Sequence, residues 1–106
     1  MVDGPEFFKA KKIAPEEAAK WLKVEISPVE AKEWRDGGFD IPTALEWRKN
    51  AFDPQRAAGW NGEGFGIGEA IAWRKYAFAP EEARLWDDKG YSPLRAYDAK
   101  AKGKTP

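Results

Sequence analysis

Cysteine and histidine are both missing from the 106 residues of this chain. The first absence rules out a disulfide framework and any thiolate metal site, and the second removes the commonest metal ligand and general base. Much of enzyme chemistry is thereby excluded, and no metal or cofactor is expected. An excess of one charge is missing too: 18 lysines and arginines face 18 aspartates and glutamates. No long-range field therefore steers the whole molecule onto nucleic acid or an anionic membrane. Long hydrophobic runs are absent as well. Nothing approaches the roughly 20 apolar residues of a membrane span, and the N-terminus has no continuous apolar segment of the signal-peptide type. The expectation is a cytoplasmic protein with no membrane partner.

What the chain does have is a period. All six tryptophans, Trp21, Trp34, Trp47, Trp60, Trp73 and Trp86, stand thirteen residues apart. Three positions before them the alanines Ala18, Ala31, Ala44, Ala57, Ala70 and Ala83 keep the same step, with a further one at Ala96. Ile13, Ile26, Phe39, Phe52, Phe65, Phe78 and Tyr91 open the copies. Residues 13–103 therefore read as one helical-repeat domain of seven tandem copies, preceded by an extension over 1–12 and followed by a tail over 104–106.

Each copy reads as the specification of one helix. The opening apolar residue takes N′, and Ser27, Asp40, Asp53 or Ser92 takes the N-cap. Proline follows at N1 in Pro15, Pro28, Pro54, Pro80 and Pro93, where its missing N–H is not needed. Glu17, Glu30, Glu69 and Glu82 fall at N3, where a carboxylate reaches back to the N-cap amide, so Ser27 with Glu30 predicts a full capping box. The alanine is N4, the partner of the N′ residue in a hydrophobic staple. Gly38, Gly64, Gly90 and Gly103 then stand at C′, where glycine takes the left-handed conformation without steric cost. Helices of about nine or ten residues are marginal in water by themselves, so a shared face of aromatic, alanine and tryptophan must supply the core.

A period of 26 residues overlies the first, because Phe39, Ile41, Leu45 and Trp47-Arg48-Lys49 reappear as Phe65, Ile67, Ile71 and Trp73-Arg74-Lys75. The extra apolar residues on odd copies predict that odd helices are the more buried. The seventh copy has Ala99 where tryptophan is due, as a terminal cap would. The expected fold is all-α: seven short helices in three two-helix units plus a cap, as a short α-solenoid or a compact helical array.

Each feature with functional promise has a structural reading beside it. The tryptophans are core by their register, with Trp21 and Trp86, at the edges of the ladder, as the expected exposed exceptions. Lys23, Arg48, Lys49, Arg74 and Lys75 recur every 26 residues and predict a basic stripe on the odd helices. In the last helical turn these cations also complement the helix dipole. Asp36, Glu63, Asp87 and Asp88 place acid in the same region of the even helices, and a two-signed surface favours a protein partner or self-association over nucleic acid. The run from Asn61 to Gly68 has the look of a phosphate-cradling loop, but it lacks a preceding strand and a following Lys-Ser or Lys-Thr. Its glycines read better as a hinge. The junction Gly64-Phe65 with Ala70 five residues beyond is similar to the first turn of ubiquitin-associated domains. Those domains use the turn once in a three-helix bundle, whereas here it recurs, so no binding residue is carried over.

The leading expectation is a non-enzymatic protein–protein interaction module or small adaptor using Lys23, Arg48, Lys49, Arg74, Lys75 and Trp86. The alternative is nucleic-acid binding through the basic stripe, and a third reading is a tryptophan-edged ligand or glycan site.

Overall fold

The computed structural model describes residues 14–106; the extension assigned to residues 1–12 and the opening Ile13 lie outside them. Among the described residues all regular structure is helical: α1 (Pro15–Lys23), α2 (Pro28–Asp36), α3 (Ile41–Lys49), α4 (Pro54–Gly62), α5 (Ile67–Lys75), α6 (Pro80–Asp88) and α7 (Pro93–Ala101). Every helix is nine residues and every link between helices four, so the thirteen-residue period is one helix and one link with nothing over.

The starts are set by capping. Proline is at N1 of α1, α2, α4, α6 and α7, while α3 has Ile41 there and Pro42 at N2. The Ser27, Asp40, Asp53 and Ser92 side chains accept from the N3 amides of Glu30, Thr43, Arg56 and Arg95 at 3.2, 3.0, 2.8 and 3.3 Å. Gly66 has no side chain to offer, and there the Glu69 carboxylate accepts from the Gly66 amide at 2.9 Å. The capping box expected at Ser27 is only half made. Glu30 Oε2 accepts instead from Trp34 Nε1 at 2.9 Å and from Arg48 Nε at 3.0 Å, because a buried indole donor one turn on needs an acceptor.

The ends follow one pattern in all copies. The opening residue of the next copy donates its amide to the tryptophan carbonyl five positions back, as in Ile26 to Trp21, Phe39 to Trp34 and Phe65 to Trp60, each at 3.0 Å. The residue before it donates to the carbonyl after the tryptophan, for example Gly38 to Arg35 at 2.9 Å. These are the two bonds of the Schellman closure, whose usual accompaniment is an apolar contact between the same two residues. Here that contact is aromatic, with Trp34 and Phe39 edge to face at 5.3 Å and 86°. The opening ring thus closes one helix and staples the next. The closure needs a left-handed residue, and Gly38, Gly64, Gly90 and Gly103 supply it at φ 85–89°. Glu25, Ala51 and Ala77 adopt the same conformation at φ 65°, 68° and 66°.

Two compact units divide the chain within α4, one ending at Ala58 and the other comprising Gly59–Pro106. In the first, the ring ladder runs Trp34, Phe39, Trp47, Phe52 with centroids 5.3, 5.9 and 4.9 Å apart. In the second it runs Trp60, Phe65, Trp73, Phe78, Trp86, Tyr91 at 5.5, 6.2, 5.1, 6.4 and 4.9 Å. The alanines from Ala31 to Ala96 in the staple register are fully buried, since anything larger would hold neighbouring helices apart.

The expected difference in burial between odd and even helices does not occur. Leu45 and Ile71 are half-buried, and so are Lys32, Ala58 and Arg84 at the same register position of the even helices. Burial follows the tryptophan and alanine registers, which every copy from the second to the sixth shares. Long polar side chains cover the neighbouring position with their aliphatic stems as an apolar residue would.

Candidate interaction surface

Lys23, Arg48–Lys49 and Arg74–Lys75 lie in the last turns of α1, α3 and α5 and are exposed. In the first unit Arg48 is already engaged. Its guanidinium meets Glu30, eighteen residues back, and Arg35 meets Glu17 at the same spacing with 3.5 Å between Nε and Oε1. In the second unit Lys100 and Glu82 repeat the arrangement at 2.7 Å. The N3 acid of one copy is thus the seat for the cation in the position after tryptophan of the next. Arg48 therefore ties neighbouring copies together, while Lys23 and Lys49 make no ion pair among the described residues.

Lys49 and Arg48 join Pro42, Leu45 and Glu46 around an open cleft of about 500 Å³ on α3. Apolar Pro42 and Leu45 form its floor and the cations its rim. In the second unit Lys75 Nζ lies 5.7 Å from the centre of the Tyr76 ring, and Tyr76 packs on Tyr97 at 5.2 Å. Such a cation over an aromatic face keeps its charge at the surface.

The acids of the second unit are less available than the charge pattern suggests. Arg84 bonds Asp87, meets Asp88 Oδ1 at 3.1 Å, donates to the Glu63 carbonyl at 2.6 Å and stacks over Phe65 at 4.7 Å. One arginine thereby ties down the acidic end of α6 and the preceding link. Nothing in the local spacing announces this, because Glu63 and Phe65 are 21 and 19 residues away. In the first unit Asp36 is paired with Lys32 at 2.8 Å.

Trp21 and Trp86 are not the exposed exceptions expected of them: they are 0% and 1% exposed. Trp86 is covered because Tyr91, in the closure register, stands edge to face on it at 4.9 Å and 87°. An indole at 1% exposure has no surface to offer a partner. Its Nε1 is buried without a hydrogen-bond acceptor. Trp21 and Trp34 donate to the glutamate four residues before them, Glu17 and Glu30, but the corresponding Glu82 is held by Lys100.

One carboxyl is perturbed by its surroundings. The Thr43 side chain and amide hold Asp40 below the usual carboxylate range. At the glycine-rich junction the Gly66 amide that would greet an anion is taken by Glu69. Among the described residues no three acidic, cysteine or histidine side chains are grouped to hold a metal ion, and no helix is long and apolar enough to cross a membrane. Compared with protein-family models, curated proteins and solved structures, the chain matches none.

Proposed function

We propose that this chain is a non-enzymatic protein-interaction module of the cytoplasm, a small adaptor that offers the cationic last turns of α3 and α5 to an acidic protein surface. The observation that carries the reading is the α3 cleft, where Arg48 and Lys49 rim a floor of Pro42 and Leu45. An apolar floor with a charged rim is the anatomy of a protein–protein contact, in which the rim selects the partner by charge. A phosphate backbone asks for something else, a continuous positive field, and the chain's net charge is zero. The aromatic residues that would stack on bases or sugars are committed to the ladder, with the six tryptophans between 0% and 3% exposed.

The test compares the wild-type chain with the double variant Lys49→Glu, Lys75→Glu in affinity capture followed by binding measurement on the purified partner. Both lysines are exposed, so the fold is retained, and the partner's affinity is expected to fall about tenfold or more. Titration with mixed-sequence single- and double-stranded nucleic acid at physiological salt is expected to give only the weak, salt-sensitive binding of a non-specific contact, with Kd about 10⁻⁴–10⁻⁶ M. A submicromolar nucleic-acid complex that survives such salt and is lost in the double variant would overturn the reading.

A further inference from the structure

The ring ladder stops one step short in the seventh copy and leaves a gap. In the earlier copies the opening ring is met by the tryptophan eight residues on: Phe39 by Trp47 at 5.9 Å, Phe65 by Trp73 at 6.2 Å, Phe78 by Trp86 at 6.4 Å. For Tyr91 the residue eight on is Ala99, and the next ring position is occupied by Lys104. The backbone nonetheless keeps its register, because the Lys104 amide donates to the Ala99 carbonyl at 3.0 Å as each opening residue does to its tryptophan. Where the missing indole would stand there is a cleft of about 270 Å³ lined by Tyr91, Arg95, Asp98, Ala99, Lys102 and Lys104. Tyr91 is accordingly half-buried, whereas Phe39, Phe52, Phe65 and Phe78 are at most 5% exposed.

The charge at this end is inverted as well. Glu17, Glu30 and Glu82 hold the N3 seat and receive a cation from the following copy. In α7 that seat belongs to Arg95. A group arriving as a following copy would arrive must therefore be acidic, and Lys102 and Lys104 reinforce the demand: three cations stand against the single Asp98 around the cleft.

We propose that the gap beside Tyr91 receives an aromatic side chain carried on an acidic segment of a partner protein, the ring completing the ladder and the acids meeting Arg95, Lys102 and Lys104. The inference rests on the interaction-module reading and deepens it by assigning a second surface with its own ligand chemistry. The ring supplies a desolvated anchor of the kind that dominates binding hot spots, and the acids supply orientation and selection. Neither a basic helix nor an acidic stretch without a ring satisfies both halves of the site.

The probe is a synthetic peptide with the sequence of residues 80–88, which carries Trp86 ahead of Asp87 and Asp88, titrated into the isotope-labelled full chain. Saturable chemical-shift changes are expected at Tyr91, Arg95, Ala99 and Lys102. The Trp86→Ala form of the peptide should bind about tenfold more weakly or worse, as loss of a single buried aromatic anchor does. Ala99→Trp in the protein, which fills the gap from within, should abolish the shifts. Arg95→Glu, at an exposed position where folding is not at stake, should weaken binding about tenfold or more. Absence of saturable shifts, equal binding of the ring-less peptide, or indifference to Arg95→Glu would each overturn the proposal. Shifts confined to Arg48 and Lys49 would also overturn it while leaving the α3 surface as the docking site.

Discussion

Ala51 sits at φ 68° in the closure that ends α3, with Ala77 alike at φ 66° after α5, whereas Gly38 holds the same place after α2 at φ 89°. The left-handed conformation costs an L-residue roughly 1–2 kcal/mol, and glycine's greater freedom in the unfolded chain takes back about 0.4–1 kcal/mol of any gain from replacing it. The backbone strain wins. Ala51→Gly is therefore expected to stabilise the protein by up to about 1 kcal/mol, and Gly38→Ala to destabilise it by a similar amount, both read by chemical denaturation. A Cβ at Gly38 meets nothing within 4 Å, so conformation alone decides the second case. Trp47 tests the ladder itself. It contacts Phe39 and Phe52 edge to face and is 3% exposed, so Trp47→Ala leaves a cavity expected to destabilise by about 3–5 kcal/mol. An unchanged melting temperature would remove the ladder from the core.

At the scale of one helix, α3 shows how much of an element was legible. Its start was readable from Asp40 and its end from the charges of Arg48 and Lys49, because capping and dipole preferences act within one turn and leave their mark in consecutive residues. The partner of Arg48 was not readable: Glu30 lies eighteen residues back, and only the packing of one copy on the next brings the two together at 3.0 Å. The same limit hid Arg84 as the group that binds Glu63, Asp87 and Asp88, and it made Trp86 look like an exposed edge when Tyr91 covers it. The gap at Ala99 did carry a signal, the departure of positions 95, 99 and 104 from their registers. That departure was read only as a weakened cap. For α3 the cap also carries a pH dependence. Thr43 lowers the Asp40 carboxyl, so the stabilisation is fully present above the ordinary aspartate value and is lost as pH falls through the lowered one. Asp40→Ala is expected to lower the melting temperature at neutral pH, with the difference from wild type shrinking only below about pH 4. A difference that persisted undiminished well below that pH would show that the carboxylate is not the cap's source of stability.

Across the whole molecule the copies are equivalent in length and register, but they are not equivalent in side-chain cover. The division between the two compact units falls at Ala58 and Gly59, and Gly59, Gly62, Gly64, Gly66 and Gly68 follow within ten residues. Gly59 and Gly62 both lie in α4, where each weakens the helix by roughly 1 kcal/mol relative to alanine. Trp60 and Phe65 remain anchored, 3% and 2% exposed, so the rings hold their places while the backbone between them has little side-chain protection. Local opening tracks such sparsely covered backbone, and hydrogen exchange is therefore expected to be fastest, apart from the ends of the chain, between Trp60 and Gly68. Gly62→Ala sharpens the test. A Cβ there meets nothing within 4 Å, so alanine adds helix preference without a clash and should raise both global stability, by up to about 1 kcal/mol, and protection in this stretch. If protection is uniform through Tyr91, with Gly62→Ala changing only the global value, the junction is no softer than the others. A partner would then meet preformed surfaces at α3 and beside Tyr91 without adjustment at the glycines.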